Sequence, residues 1–226
     1  MKTFNDKAIV DSWNKNARPW ITAIQEKQIA SRQLVTNQAI IDAIVSVLPQ
    51  TVLDIGCGEG WLVRALSDLG ISCSGLDIIP ELIEDANKYA TGDFLVLAYE
   101  KISFETIAKK FDIAVCNFSL LGKESVEYVF KSVPSVLNPG GYFIVQTLNP
   151  RECSNQKEYE DGWREGSWAG FSDDFYDPAP WYFRTTESWI DLFHLHGYEL
   201  VHQKEPINPI TGKPVSLILI GRGISV

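Results

Sequence analysis

From Val52 onward the chain alternates short apolar runs with stretches whose apolar residues recur at helical spacing. The runs VLDI, ISCSGLDI, DFLVLAY, FDIAVCNF and GYFIVQTL have the continuous apolar character of strands buried on both faces. Between them lie WLVRALSDLG, PELIEDANKYA, a short stretch over residues 102–109 and ESVEYVFKSVPSVL, each of which predicts a helix. Strictly alternating strands and helices predict a doubly wound, mostly parallel α/β sheet with right-handed crossovers. Pro80 at a helix start, Gly70 just past a helix end and the turn Asn138-Pro139-Gly140-Gly141 punctuate the pattern where such a sheet requires it.

Two segments break the alternation. Residues 1–48 read as a helical cap, with Ile29, Leu34, Ala39, Ile40, Ala43, Ile44 and Val47 at helical intervals. Residues 150–183 form an insertion rich in Gly, Trp and Asp, after which Thr185-Thr186-Glu187-Ser188-Trp189 opens a helix running to Gly197. YELVHQKE and PVSLILIG, joined by turn-forming residues 206–212, predict an antiparallel pair at the sheet edge and bring the strand count to seven. The expectation is one domain: a cap at 1–48, a core at 51–147, the insertion, and a C-terminal helix and strand pair at 184–226.

Bulk composition narrows the partners. With 226 residues, 45% of them hydrophobic, the chain can bury a sizeable core. Its net charge of -9 sets up a field that repels phosphate backbones and anionic lipid surfaces, so neither nucleic acid nor membrane is expected as a partner. Cys57, Cys73, Cys116 and Cys153 show no metal-ligand spacing and no CxxC pairing, which predicts reduced thiols and no metal site. The N-terminus lacks a signal-peptide pattern and no apolar run reaches the roughly 18 residues of a membrane span. A soluble, cytoplasmic protein is expected.

The chemistry concentrates in VLDIGCGEGW, residues 52–61. In a doubly wound sheet ligands bind beyond the carboxyl ends of the strands, and glycines there let backbone amides approach a ligand that a side chain would block. A dinucleotide loop would place a third glycine where Trp61 stands, and a carboxylate such as Asp54 would repel a pyrophosphate. The ligand is therefore expected to be positive at this end, which disfavours a nicotinamide oxidoreductase.

Asp54, Gly56, Gly58 and Gly60 match, position by position, the first motif of the class I S-adenosylmethionine-dependent methyltransferases, which this sequence resembles from about Thr51 to Thr147. The resemblance implies a Rossmann-like seven-stranded fold, S-adenosylmethionine as cofactor and methyl transfer to a small-molecule acceptor. It implies that the glycine loop, with Cys57 and Glu59, runs beneath the methionine and ribose, and that Asp54 helps to order the ammonium group. Glu59 also suits the positive end of a helix. Asp77, closing the second strand, matches the acid that receives the two ribose hydroxyls, with Ile78 flanking the adenine. Ala98 and Tyr99 are placed at the third-strand site, with Glu100 a near miss, and Asn117 and Phe118 under the reactive sulfonium. A catalytically inactive scaffold of the same fold is the alternative.

No catalytic residue is assigned, because methyl transfer from a sulfonium asks mainly for alignment and exclusion of water. His194, His196 and His202 are expected to be structural or surface residues. Arg32 is a candidate partner for the cofactor carboxylate, an exposed salt bridge being the other reading. Trp13 and Trp20 are expected to pack over the cofactor. In the insertion, Trp163, Trp168, Phe171, Phe175, Tyr176, Trp181 and Tyr182 alternate with Glu158, Glu160, Asp161, Glu165, Asp173, Asp174 and Asp177. That mixture predicts a lid favouring an apolar or cationic acceptor, or else a small core of its own.

Overall fold

The computed structural model describes residues 4–89, 91–154 and 159–224. Its strands are β1 (Thr51–Ile55), β2 (Ser72–Asp77), β3 (Asp93–Val96), β4 (Phe111–Asn117), β5 (Leu137–Leu148), β6 (Gly162–Arg164), β7 (Trp181–Phe183), β8 (Tyr198–Lys204) and β9 (Ser216–Gly223). The α-helices are α1 (Asp6–Gln25), α2 (Asn37–Val45), α3 (Trp61–Ser67), α4 (Pro80–Asn87), α5 (Phe104–Ile107), α6 (Glu124–Val136), α7 (Pro150–Cys153) and α8 (Thr186–Leu195). A seven-stranded sheet runs in the order β3-β2-β1-β4-β5-β9-β8, and β6 pairs with β7 in a separate hairpin. The first five strands of that order are parallel, while β9 lies antiparallel to β5 and β8. The order reverses between β1 and β4, which opens a crevice at their carboxyl ends.

Side-chain alternation divides each strand between two cores. Leu53, Ile55, Ala114, Cys116, Phe143 and Val145 face α6 and α8, where Val126, Val129, Phe130, Trp189 and Phe193 cover them. Val52, Ile113, Val115, Ile144, Ile218 and Ile220 face the other way, under Ile40, Ala43 and Ile44 of α2 and Leu62, Val63 and Leu66 of α3. The N-terminal helices therefore do cap the sheet, but by two routes. While α2 sits on the sheet face, α1 packs on α4 through Ala17, Ile79 and Leu82 and crosses the carboxyl-end crevice.

Three local expectations change. The helix read over 102–109 is a 3-10 turn at Tyr99–Lys101 followed by the single-turn α5, because Ser103 caps a new start and Ala108 turns left-handed at φ 55. The Asn138-Pro139-Gly140-Gly141 turn lies inside β5 as an irregularity: Phe111 pairs with Leu137, and pairing resumes at Ile113 with Tyr142. The third strand stops at Val96, leaving Ala98 as the cap of the 3-10 turn.

Phe130 is fully buried, with ring centroids of Phe143 at 4.9 Å and Phe193 at 5.1 Å. Phe130→Ala is expected to cost about 3–5 kcal/mol of stability. Urea denaturation checks this: the midpoint falls while the slope stays constant.

Candidate active site

The loop after β1 is fixed from beneath. The Gly56 and Cys57 amides donate to the Leu76 carbonyl at 2.7 and 3.0 Å, tying the loop to the end of β2. Its three glycines all have positive φ but do different work. A Cβ on Gly58 would meet only Trp20 Nε1, at 3.6 Å, so this position is open to a ligand. A Cβ on Gly60 would lie 2.8 Å from Phe94 Cζ, so that position is demanded by packing. Gly56 borders the Tyr99 hydroxyl, which donates to the Ser119 carbonyl at 3.1 Å and closes the loop from the β4 side.

Asp77 is held by two main-chain donors. The Gly58 amide reaches its Oδ2 at 3.0 Å and the Ile79 amide its Oδ1 at 2.9 Å. Each oxygen keeps lone-pair capacity for a further donor. Burial pushes its pKa up, against the pull of these amides. Asp77, Ile78, Ile79 and Leu82 line one end of a cavity of about 740 Å³ that follows the crevice, well within the range of ligand sites of about 300–1,000 Å³.

At that end lies a cluster of buried charge. Arg32 is 7% exposed, and among the described residues its Nε and Nη2 have no hydrogen-bond partner. Its guanidinium packs on Trp61 at 4.6 Å and Trp20 at 5.6 Å. Burial lowers its pKa to about 10, although Glu59 and Asp54 act in the opposite direction. The exposed reading of Arg32 is therefore wrong: it opens a π-helical turn (Arg32–Thr36) whose two end residues are buried, a rare geometry that often accompanies functional sites. Glu59 is 0% exposed; its Oε1 accepts from the Trp61 amide and Arg64 Nη2, both at 3.2 Å, and its Oε2 has no partner.

The remaining expected residues divide. Cys57, Gly58, Glu59, Asp77, Ile78, Tyr99, Asn117, Phe118 and Arg32 all border the cavity, as do Gly56 and the near miss Glu100. Asp54, Gly60 and Ala98 do not. Asp54 shares the orientation of Val52, two residues earlier on β1, so it lies behind the loop rather than on the cavity wall. It is buried, and one of its oxygens has no partner. Burial, with Glu59 and Asp77, raises its pKa to about 8 while Arg32 pulls it down. Asn117 presents a buried, unpartnered Oδ1, and Phe118 is left-handed at φ 54, a strained position for a non-glycine residue.

The roof is aromatic. Trp13 and Trp20 of α1 meet edge to face at 5.1 Å, Trp13 contacts Trp168 at 5.7 Å, and Trp20 contacts Phe171 at 6.4 Å. Asn16 and Tyr176 exchange hydrogen bonds, and Ser12 Oγ donates to the Asp177 carbonyl at 2.6 Å. Trp168, Phe171, Trp181 and Tyr182 reach the cavity, whereas Trp163, Phe175 and Tyr176 do not. None of Glu160, Asp161, Glu165, Asp173, Asp174 or Asp177 lines it, and Glu158 lies outside the described residues. The expected aromatic-acidic wall is thus aromatic only: Asp161 caps the start of α8 and Asp177 pairs with Lys15. No histidine lines the cavity. Sequence reasoning missed Asp6, Thr36, Ser119 and Arg184, which border it without belonging to any local pattern.

Comparison with known proteins agrees with this fold. Among solved structures, the fold is similar to an S-adenosylmethionine dependent methyltransferase from Mesorhizobium loti (TM-score 0.60, 19% identity, 80% of this chain and 95% of that one). It is also similar to the 1,6-didemethyltoxoflavin-N1-methyltransferase of Burkholderia thailandensis, solved with 1,6-didemethyltoxoflavin and S-adenosylhomocysteine (TM-score 0.64, 16% identity, 92% and 87% coverage). In sequence, the chain is 31% identical over 113 residues to a ubiquinone biosynthesis O-methyltransferase of Paraburkholderia phymatum, covering 48% of this chain and 49% of that protein. The corresponding enzyme of Methylococcus capsulatus is 26% identical over 144 residues, 62% and 61% of the two chains. The chain thus spans about half to three-fifths of these curated relatives. A family model described as a methyltransferase domain matches residues 28–203, so a glycine loop, an acid-tipped second strand and a sheet reversing at β1 and β4 occur in a chain that belongs to the methyltransferase domain family.

Proposed function

We propose that this protein transfers a methyl group from S-adenosylmethionine to a small-molecule acceptor. The observation that carries this reading is the pair of unsatisfied, oppositely charged groups on the cavity wall that also holds the open Gly58: Arg32 Nε and Nη2, and Glu59 Oε2. An α-amino acid end supplies a carboxylate for the first and an ammonium for the second, each strengthened by the low local dielectric. Asp77 suits a vicinal diol, and Ile78, Ile79 and Leu82 suit a flat base beside it. When bound, the cofactor supplies an activated methyl group; the protein's part is to orient it, exclude water and seat the acceptor under the aromatic roof. Asn117 and Phe118 border the middle of this path, where the donor sulfur would lie. The net charge and the four cysteines, all free of disulfides, fit a cytoplasmic setting and a small acceptor rather than nucleic acid.

Calorimetric titration with S-adenosylhomocysteine tests this directly. Arg32→Met and Asp77→Asn are each expected to weaken binding by about tenfold to a hundredfold, the loss of a charge-assisted contact. Unchanged affinity in both variants would overturn the reading.

The buried acids also set a pH dependence. The folded-state pKa of Asp54, about 8, lies above that of an unfolded aspartate, about 3.9, so the unfolded chain loses this proton first. Stability without ligand therefore falls as pH rises from about 4 to about 8 and levels off above, and Glu59 and Asp77, also raised by burial, add the same sign. Asp54→Asn is expected to flatten this decline, read from urea midpoints across that range.

A further inference from the structure

Beyond Asn117 and Phe118 the cavity holds, among the described residues, one deeply buried charge, Arg184, which is 4% exposed. Its Nη1 donates to the Gly122 carbonyl at 2.8 Å and its Nη2 to the Lys123 carbonyl at 3.0 Å. Its guanidinium packs on the rings of Tyr182 at 4.7 Å and Trp189 at 5.2 Å. Among the described residues it has no ion-pair partner; Asp161, Glu127 and Asp6 act on it only at longer range. Asp6 is itself engaged, accepting from the Lys123 and Ser125 amides on the same turn. A buried guanidinium that hydrogen-bonds only to neutral carbonyls keeps its charge uncompensated, and such a charge is costly unless something completes it.

Among the described residues the same region offers no histidine to activate a nucleophile. No imidazole lines it, and the carboxylate nearest this turn, Asp6, already accepts one amide on each oxygen. An acceptor that arrives already unprotonated needs no such base. A neutral amine satisfies that condition but takes over the positive charge that leaves the sulfonium, which moves it onto the acceptor beside Arg184. An oxyanion satisfies it and also neutralises the guanidinium field.

We propose that the acceptor is a small planar organic anion, an aromatic carboxylate or phenolate, seated among Trp168, Trp181 and Tyr182 with its charge toward Arg184. This rests on the methyl-transfer reading above. The anionic oxygen donates its lone pair to the methyl carbon, and the carbon–sulfur bond breaks with its electrons passing to the sulfonium sulfur. No proton moves, and an anion and a cation become two uncharged groups, an ester or ether and a thioether. A water-poor aromatic chamber favours that reaction, because two separated opposite charges lose more by desolvation than the transition state in which they merge.

The test is calorimetry on the full chain saturated with S-adenosylhomocysteine, titrated with 2-naphthoate, with its neutral isostere 2-naphthamide, and with 2-naphtholate above the pKa of that phenol. At least one anion is expected to bind about tenfold or more tightly than the amide. Preference for naphthoate assigns a carboxylate, and preference for naphtholate a phenolate. Arg184→Met is expected to erase the discrimination while S-adenosylhomocysteine affinity is kept, and Arg184→Lys to restore part of it, a pattern that a purely structural arginine would not give. If Arg184→Met does not fold, the comparison of charged and neutral ligands on the wild-type protein decides alone. An amide that binds as well as both anions, with S-adenosylhomocysteine still bound, overturns this inference and leaves methyl transfer standing. Failure to bind S-adenosylhomocysteine removes both.

Discussion

Uncompensated charge at the carboxyl ends of β1 and β2 is the constraint around which the molecule is organised. Asp54, Glu59 and Asp77 are buried within reach of one another's fields, with Arg32 as the cation set against them. Desolvation works against the ionised form of every member, which is why the acids shift upward and the arginine downward. Without a ligand this is a poor arrangement, since a stable fold leaves few buried polar atoms unsatisfied. The two face cores bear that burden. Phe130, Phe143, Phe193 and Trp189 on one side and the Ile, Leu and Val layer under α2 on the other hold the strand ends in place whether or not the charges are matched.

The roof follows from the same constraint. Charges in a low dielectric act strongly only while water is kept out, and α1 with the insertion supplies that exclusion through edge-to-face tryptophan contacts and polar clasps between α1 and residues 176–177. Among the described residues, the acids named in the insertion lie off the cavity, with Asp161 capping α8 and Asp177 paired to Lys15, where their charge is cheap. An acidic wall facing the cavity would have added like charge to Asp77 and Glu59. The division of aromatic side chains inward and acids outward is what a chamber already rich in carboxylates demands.

Much of this was legible in the sequence. Continuous apolar runs gave the parallel core, because a strand buried on both faces has no polar side to disguise it, and the glycine spacing with Asp77 marked the crevice. What escaped depended on position in space. The alternation along β1 turns Asp54 away from the cavity, although the motif places it beside the loop. Gly58 and Gly60 look alike in sequence, yet one faces ligand space and the other the ring of Phe94. Arg184 precedes a helix with no signal of its own, and only the packing of β7 against residues 121–123 brings it to the cavity. Alternating acids and aromatics in the insertion suggested a mixed wall because local pattern does not say which way an irregular segment faces.

The charged end of the cavity and its middle are joined through Gln146, a fully covered residue near the end of β5. Its carbonyl accepts the Phe118 amide at 2.7 Å and so holds the left-handed turn after β4. Its side-chain Nε2 donates to the Thr36 carbonyl at 3.3 Å and to Ser216 Oγ at 3.2 Å. Thr36 closes the π-helical turn that Arg32 opens. One residue, through its main chain and its side chain, thus ties the turn carrying the free guanidinium to the turn carrying the strained Phe118, and both to β9. In a packed interior such a link does not stretch, because its parts have no empty volume to move into. The positions of Arg32 and Phe118 on the cavity wall are therefore set together, which suits chemistry that depends on alignment within fractions of an ångström more than on any single acid or base.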